Sequence, residues 1–350
     1  MSADLPLVDV NLFAFNAEHT IGPAIESVLA QTWPALHLTI IDNGSTDRTL
    51  GVVDGYARIV PWLHVHRARM NGGAVVNCQR AFTFGDADFV LPKTADDLLA
   101  PDFVASTMEV LLGHPDCAMC HAGALVFDGD LHVRSVYPPV HRLHAVGGDA
   151  LARSRHVMAR YTSAPSFWGI YRRTAVDMLA PFRYRAGWDH VVLAELALYG
   201  EIRHVPAPHY WRRDGGKPVA QIARGCAEAS QRGLPLDDAV AELRWRTPLI
   251  TTVYAHLETF AVARLPAQQR VQVMADAIRV FRTRWLPLLR AEAAAFAAVL
   301  PDIAARANNV PEPLAGWMRQ QIKHVTSAIL AVVPESALPA ESMPASLAAG

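Results

Sequence analysis

Two adjacent carboxylates close the apolar run Phe89-Val90-Leu91-Pro92-Lys93-Thr94-Ala95-Asp96-Asp97, and Pro101 follows shortly behind them. Paired acids at the carboxyl end of a buried strand crowd negative charge where loss of solvation is costly. That placement is sensible if a divalent cation or a diphosphate–metal complex sits there, since hard oxygen ligands suit Mg²⁺ or Mn²⁺. A plainer reading makes Asp96-Asp97 the start of a helix, complementing its dipole. Two further polar loops decide between them. Asp42-Asn43-Gly44-Ser45-Thr46-Asp47 ends one apolar run, and Asn71-Gly72-Gly73 follows another.

The elements that must position these loops alternate in type. Val8 to Ala14 reads as a strand, and Ile21 to Gln31 carries apolar residues at helical spacing. Leu36 to Ile41 is a buried-strand run, and Leu63 to His66 is a third strand with a helix through Phe82 behind it. Asp88 to Leu91 is the fourth. Alternating strands and helices predict an α/β fold with a mostly parallel sheet covered on both faces. Ligands in such sheets bind outside the carboxyl ends of the strands. Asp42, Asn71 and Asp96 all fall at such ends, so the three loops define a site on one edge.

The middle of the chain is mixed. It holds the strand Ala118 to Phe127, a turn at Asp128-Gly129-Asp130, the segments Phe167 to Tyr171 and Ala186 to His190, and an apolar helix from Val191 to Tyr199. After residue 236 Ala, Leu, Arg and Val dominate. Pro248, Pro266, Pro287, Pro301 and Pro311 punctuate what reads as a set of short helices, the last running from Pro313 to Val333. The tail 334–350 is small and Pro-rich, and disorder is expected there.

Composition narrows the function. The 350 residues are 51% hydrophobic and 19% charged, enough for a large core. A net charge of −1 argues against nucleic acid as a partner. The start has no basic and apolar leader, and no apolar run reaches the roughly 20 residues of a membrane span. A cytoplasmic protein is expected, with peripheral membrane attachment the second option. Cys117-Ala118-Met119-Cys120-His121 matches a haem-attachment pattern, but its surroundings read as a buried strand where Cys packs as a small hydrophobe.

Val10 to Trp33, with Phe15-Asn16 and then Ala24 to Thr32, resembles the opening of family 2 glycosyltransferases. Ile41 to Asp47 is similar to that family's Asp-Asp-Gly-Ser-Thr-Asp loop. Asn71-Gly72-Gly73 and Asn77 stand where the family has an Asn-x-Gly turn and a following Asn. Ala95-Asp96-Asp97 resembles its metal-binding Asp-x-Asp-Asp segment, with Thr94 in place of the first Asp. Gly187-Trp188-Asp189, the helix behind it and His204-Val205-Pro206 look like the catalytic-base segment.

The resemblance implies a GT-A fold. Residues 1–116 would form the nucleotide-sugar half, 117–236 the acceptor and catalytic half, and 237–333 a helical C-terminal region. It implies an inverting transfer from a UDP-, dTDP- or GDP-sugar to a glycan, lipid-linked or small-molecule acceptor. Donor contacts are expected from Phe15, Asn16, Glu18, Asp42, Asn71, Gly72, Asn77, Lys93, Thr94, Ala95, Asp96, Arg212 and Arg213. Asp42 can accept the imide N–H of a uracil-type base while also forming its turn.

Asp96 and Asp97 are the expected ligands of Mg²⁺ or Mn²⁺, which one or two carboxylates plus phosphates can hold. Asp189 is the expected base, with helix capping as its structural alternative and His190 and Glu195 as weaker bases. Trp168, Trp188, Tyr210 and Trp211 offer aromatic faces to an acceptor sugar. The second function class is a scaffold: a GT-A domain with too few acids for turnover, working through its C-terminal helices. Those helices carry more apolar surface than they can hide among themselves, so a homodimer is expected.

Overall fold

The computed structural model describes residues 5–160, 164–182, 187–214 and 247–334. The chain divides into two compact units. The first comprises residues 1–182 and 192–216; the second comprises 183–191 and 217–350.

In the first unit, β1 (Val8–Ala14) alternates Val8, Val10 and Leu12 with Asp9 and Asn11, yet nearly the whole strand is buried. It therefore lies at the sheet centre, flanked by β2 (Leu36–Asp42) and β4 (Phe89–Thr94), with β3 (Leu63–Arg67) outside β2. All three pairings are parallel, as the alternation predicts. Helices α1 (Ile21–Leu29), α2 (Thr49–Ala57) and α3 (Ala74–Thr83) form the crossovers. Register brings Ala14 beside Asp42, Asp42 beside Arg67 and Phe13 beside Thr94, so the four strands end together.

Beyond β4 the pairing becomes mixed, which the sequence pattern does not reveal. The order is β3-β2-β1-β4-β8-β6-β9-β5, with β7 also on β6. These strands are β5 (Leu98–Leu99), β6 (Cys117–Phe127), β7 (Val133–Val136), β8 (Gly169–Arg172) and β9 (Glu201–Arg213). Helices α4 (Phe103–Gly113), α5 (Ala150–Ala159), α6 (Arg173–Val176) and α7 (Trp188–Tyr199) connect them. The position near 116 is thus a boundary between halves of one continuous sheet. Cys117, Cys120 and His121 lie inside β6, and both His121 ring nitrogens meet backbone carbonyls, of Ala122 and Leu143.

The second unit contains α8 (Pro248–Val262), α9 (Ala267–Asn309) and α10 (Leu314–Val332). The punctuation largely holds: Pro248 heads α8, Pro266 precedes α9, and the non-helical Trp285 (φ −130°, ψ 21°), two residues before Pro287, breaks the 43-residue α9 into two helices; Pro301 departs from it by lying inside the second. A proline inside a helix costs about 3 kcal/mol. Burying Phe281, Leu289, Phe296, Leu300 and Ile303 returns about 1.5–3 kcal/mol each, so packing outweighs local propensity. Residues 215–246 and the tail beyond Pro334 lie outside the described residues.

Glu292 of α9 closes the amino end of α8. Its two carboxyl oxygens accept from Leu249 N (3.0 Å) and Ile250 N (2.9 Å), satisfying helix-terminal donors. Burial pushes this carboxyl up to about 7 from its ordinary 4.5. Between those values the folded chain holds a proton that the unfolded chain has lost, so this group's contribution to stability declines as pH rises. The melting-temperature difference between wild type and Glu292→Gln should drift against the wild type from pH 4.5 to 7 and flatten above. A pH-independent difference would contradict the assignment.

Candidate active site

Two loops at the common strand end are bound into one body. Asn16 adopts a left-handed backbone (φ 47°); its N–H donates to Ser45 Oγ (2.9 Å) and its Oδ1 accepts from Thr46 N (2.9 Å). Glu18 Oε2 accepts from Arg48 N and Nε, both at 3.0 Å, and these bonds hold its carboxyl below its ordinary range. Asp42 ends β2 almost wholly buried, and its oxygens accept from Gly44 N and Ser45 N, both at 3.1 Å. Gly44 is required: at φ 77°, a Cβ would stand 2.9 Å from the Met70 carbonyl carbon.

The third loop is fastened to the second by amides. Asn43 Nδ2 donates to Asn71 Oδ1 (2.7 Å), while Asn43 Oδ1 accepts from Gly72 N and Arg80 Nη1, both at 3.1 Å. Asn77, buried below, donates to Ala14 O (3.2 Å) and anchors α3 to β1. Of these predicted donor contacts, Phe15, Asn16 and Asn71 are exposed at the edge, whereas Asp42 and Asn77 build it from within.

At the end of β4 the predicted acids part company. Asp97 is buried; it accepts from Thr94 Oγ1 (2.9 Å), from Arg213 N (2.8 Å) and from the Tyr210 hydroxyl. Burial raises its pKa, and the Asp96 charge adds to this. The expectation of Asp97 as a metal ligand is corrected: its oxygens are spent on tying β4 to β9. Lys93 is also corrected as a phosphate contact. Its ammonium is fully buried and donates to the Asp97 and Thr94 carbonyls (2.5 and 3.1 Å), with burial pulling its pKa down to about 8.

Asp96 is the exception. It is exposed, and among the described residues its carboxylate has no hydrogen-bond or ion-pair partner. Arg213 reaches across to it, donating Nε to the Asp96 carbonyl (3.1 Å) with its guanidinium 4.7 Å over the Phe127 ring. Arg212, also on β9, is held by the Tyr137 hydroxyl, a partner no sequence signal announced. The edge thus presents one uncommitted carboxylate with Arg213 bonded to its main-chain carbonyl.

The aromatic expectations divide similarly. Tyr210 is buried behind Asp97 and is corrected as an acceptor contact. Trp168 is half-buried, stacked on Tyr210 (6.4 Å, 9°) and tilted against Phe13 (6.0 Å). Trp211 is half-buried and donates Nε1 to Pro208 O (3.1 Å). Trp188 and Asp189 begin α7 and belong to the second unit, where Asp189 Oδ1 accepts from His190 N (2.9 Å). The helix starts three residues earlier than its apolar pattern indicates. Glu195 is corrected as an alternative base: it is buried and accepts from Ala180 N (3.0 Å) and from the Tyr199 hydroxyl (3.2 Å).

Residues 10–162 match the family described as Glycosyl transferase family 2. The "Uncharacterized glycosyltransferase YibD" of Escherichia coli (strain K12) is 29% identical over 181 residues, half of this chain and 51% of that protein. The hyaluronan synthase of Pasteurella multocida is 30% identical over 108 residues, 31% of this chain and 11% of that one. The chain therefore spans about half or less of the curated relatives named here. The crystal structure of S. aureus TarS 1-349 in complex with UDP-GlcNAc superposes with TM-score 0.56 at 17% identity, covering 93% of this chain and 90% of that one. The family match covers just under half of the chain, and the fold is of the GT-A type. Among the described residues no helix is long and apolar enough to cross a membrane.

Proposed function

We propose that the protein transfers a sugar from a nucleoside-diphosphate sugar to an acceptor hydroxyl with inversion at the anomeric carbon. The observation that carries this is the uncommitted Asp96 beside Arg213, at the edge where the Asn16, Ser45 and Asn71 loops meet. The acceptor oxygen forms a bond to the anomeric carbon as the bond from that carbon to the diphosphate oxygen breaks. The hydroxyl proton goes to Asp189, and the diphosphate departs with added negative charge. The guanidiniums of Arg212 and Arg213 suit that charge, since their forks match phosphate oxygens. Stabilisation that grows as charge develops accelerates the step.

The donor set also fits the metal implied by the family, in reduced form. Among the described residues at this edge, Asp96 offers free carboxylate oxygens, which suffices where the diphosphate and water complete the shell of Mg²⁺ or Mn²⁺. When bound there, such an ion neutralises charge on the leaving diphosphate. The buried Asp42 serves the base pocket through the loop it shapes.

Thermal-shift and calorimetric titrations with UDP-, dTDP- and GDP-sugars, with and without Mn²⁺, test the reading. Asp96→Ala should remove only the metal-dependent part of donor affinity. Asp42→Ala should weaken binding under both conditions. Equal affinities in wild type and both variants would overturn the donor-site assignment.

A further inference from the structure

The segment carrying Asp189 belongs to the helical second unit although it precedes β9 in sequence. We infer that this unit is the positioning device for the proposed base, acting through the buried pair His190 and His256. The inference rests on the reading of Asp189 as that base.

His190 follows Asp189 directly in the first turn of α7 and is 6% exposed; His256, on α8, is 0% exposed. His256 Nδ1 lies 2.8 Å from the Thr252 carbonyl, which can only accept, so that nitrogen carries the proton. Its Nε2 is then an acceptor, and His190 Nδ1, 3.2 Å away, is the donor to it. The rings meet edge to face at 5.2 Å, and Phe281 of α9 packs on both, 6.4 Å from His190 and 5.3 Å from His256. Phe260 closes the His256 side at 5.7 Å.

One orientation of each imidazole satisfies this chain of donors and acceptors. Asp189 is bonded to the main-chain N–H of His190, so fixing the His190 ring fixes the turn on which the carboxylate stands. Base catalysis needs its group within hydrogen-bond reach of the moving proton, so a small rotation of this turn is felt in rate. Burial depresses the His256 pKa to about 4, so His256 is neutral at physiological pH and its Nε2 is free to accept.

The test uses the full chain and reads nucleotide release from a UDP- or GDP-sugar, with water as acceptor, beside calorimetric donor affinity. His256→Phe keeps the ring volume and removes the acceptor; His256→Gln keeps an acceptor at similar reach. The phenylalanine variant should lose about tenfold or more in kcat with donor affinity within twofold, and should displace the basic-group limb of the pH–rate profile. The glutamine variant should recover most of the loss. Unchanged kcat and pH profile in the phenylalanine variant overturn the inference. Should that variant fail to fold, a glutamine variant that folds with the same tenfold loss also overturns it, since the bond would not be what matters. Asp189→Asn separates the two readings. If it is inactive while His256→Phe is normal, only the positioning role fails; if it is fully active, the base itself is misassigned.

Discussion

Arg173→Ala should be among the most destabilising single changes in the first unit, about 3–5 kcal/mol, because it breaks a buried ion pair and strands the remaining charge. Arg173 Nη2 meets Asp9 Oδ2 at 2.7 Å, with both side chains largely shielded (13% and 4% exposed). The same guanidinium donates to the carbonyls of Ala87 (3.0 Å), Phe82 (2.9 Å) and Phe84 (3.2 Å). Asp9 also accepts from Ala87 N (2.9 Å). One side chain from the second half of the sheet thus satisfies the turn before β4 and the polar face of β1. Alanine leaves Asp9 buried without its cation and three carbonyls without this donor. Arg173→Lys should recover little, since a single ammonium cannot span that fan of acceptors. Urea unfolding measures the loss; a cost below about 1 kcal/mol would show that water replaces the guanidinium.

That pair also marks where sequence reasoning stops. Asp9 and Arg173 are 164 residues apart, and neither sits in a recognisable pattern. The strands β1 to β4 were legible because each is a short apolar run between helical segments, and parallel pairing follows from that alternation. The second half was not. β6 pairs antiparallel to β8, parallel to β9 and antiparallel to β7, and such choices depend on long-range packing.

At the site, the loops were legible and the directions of their side chains were not. Asp96 and Asp97 are adjacent in the bend that follows β4, where one faces solvent and the other the Tyr210 hydroxyl. Composition alone makes them equivalent. Lys93 is misread for the same reason: its place before two acids suggested a donor contact, whereas its ammonium closes the turn from inside. Thr94 completes the picture. Where the family carries a carboxylate, its hydroxyl donates to Asp97, an arrangement a second buried acid could not adopt without like-charge repulsion.

Asp189→Asn should produce the largest functional loss, about 10² to 10⁴ in turnover, which is the usual worth of a positioned general base. Asparagine is close in shape and keeps an oxygen able to accept from His190 N, so the first turn of α7 should survive. Melting temperature and calorimetric affinity for the nucleotide sugar should therefore stay near wild type while kcat falls. That split follows because the base acts only as the acceptor proton moves, and an interaction made only in the transition state lowers kcat without weakening the ground state. A loss of donor affinity matching the loss of turnover would instead give Asp189 a binding role. Near-wild-type turnover would place the base elsewhere, and Glu195 could not inherit the role: its carboxylate is buried on Ala180 N and the Tyr199 hydroxyl, with 1% of its surface reaching solvent.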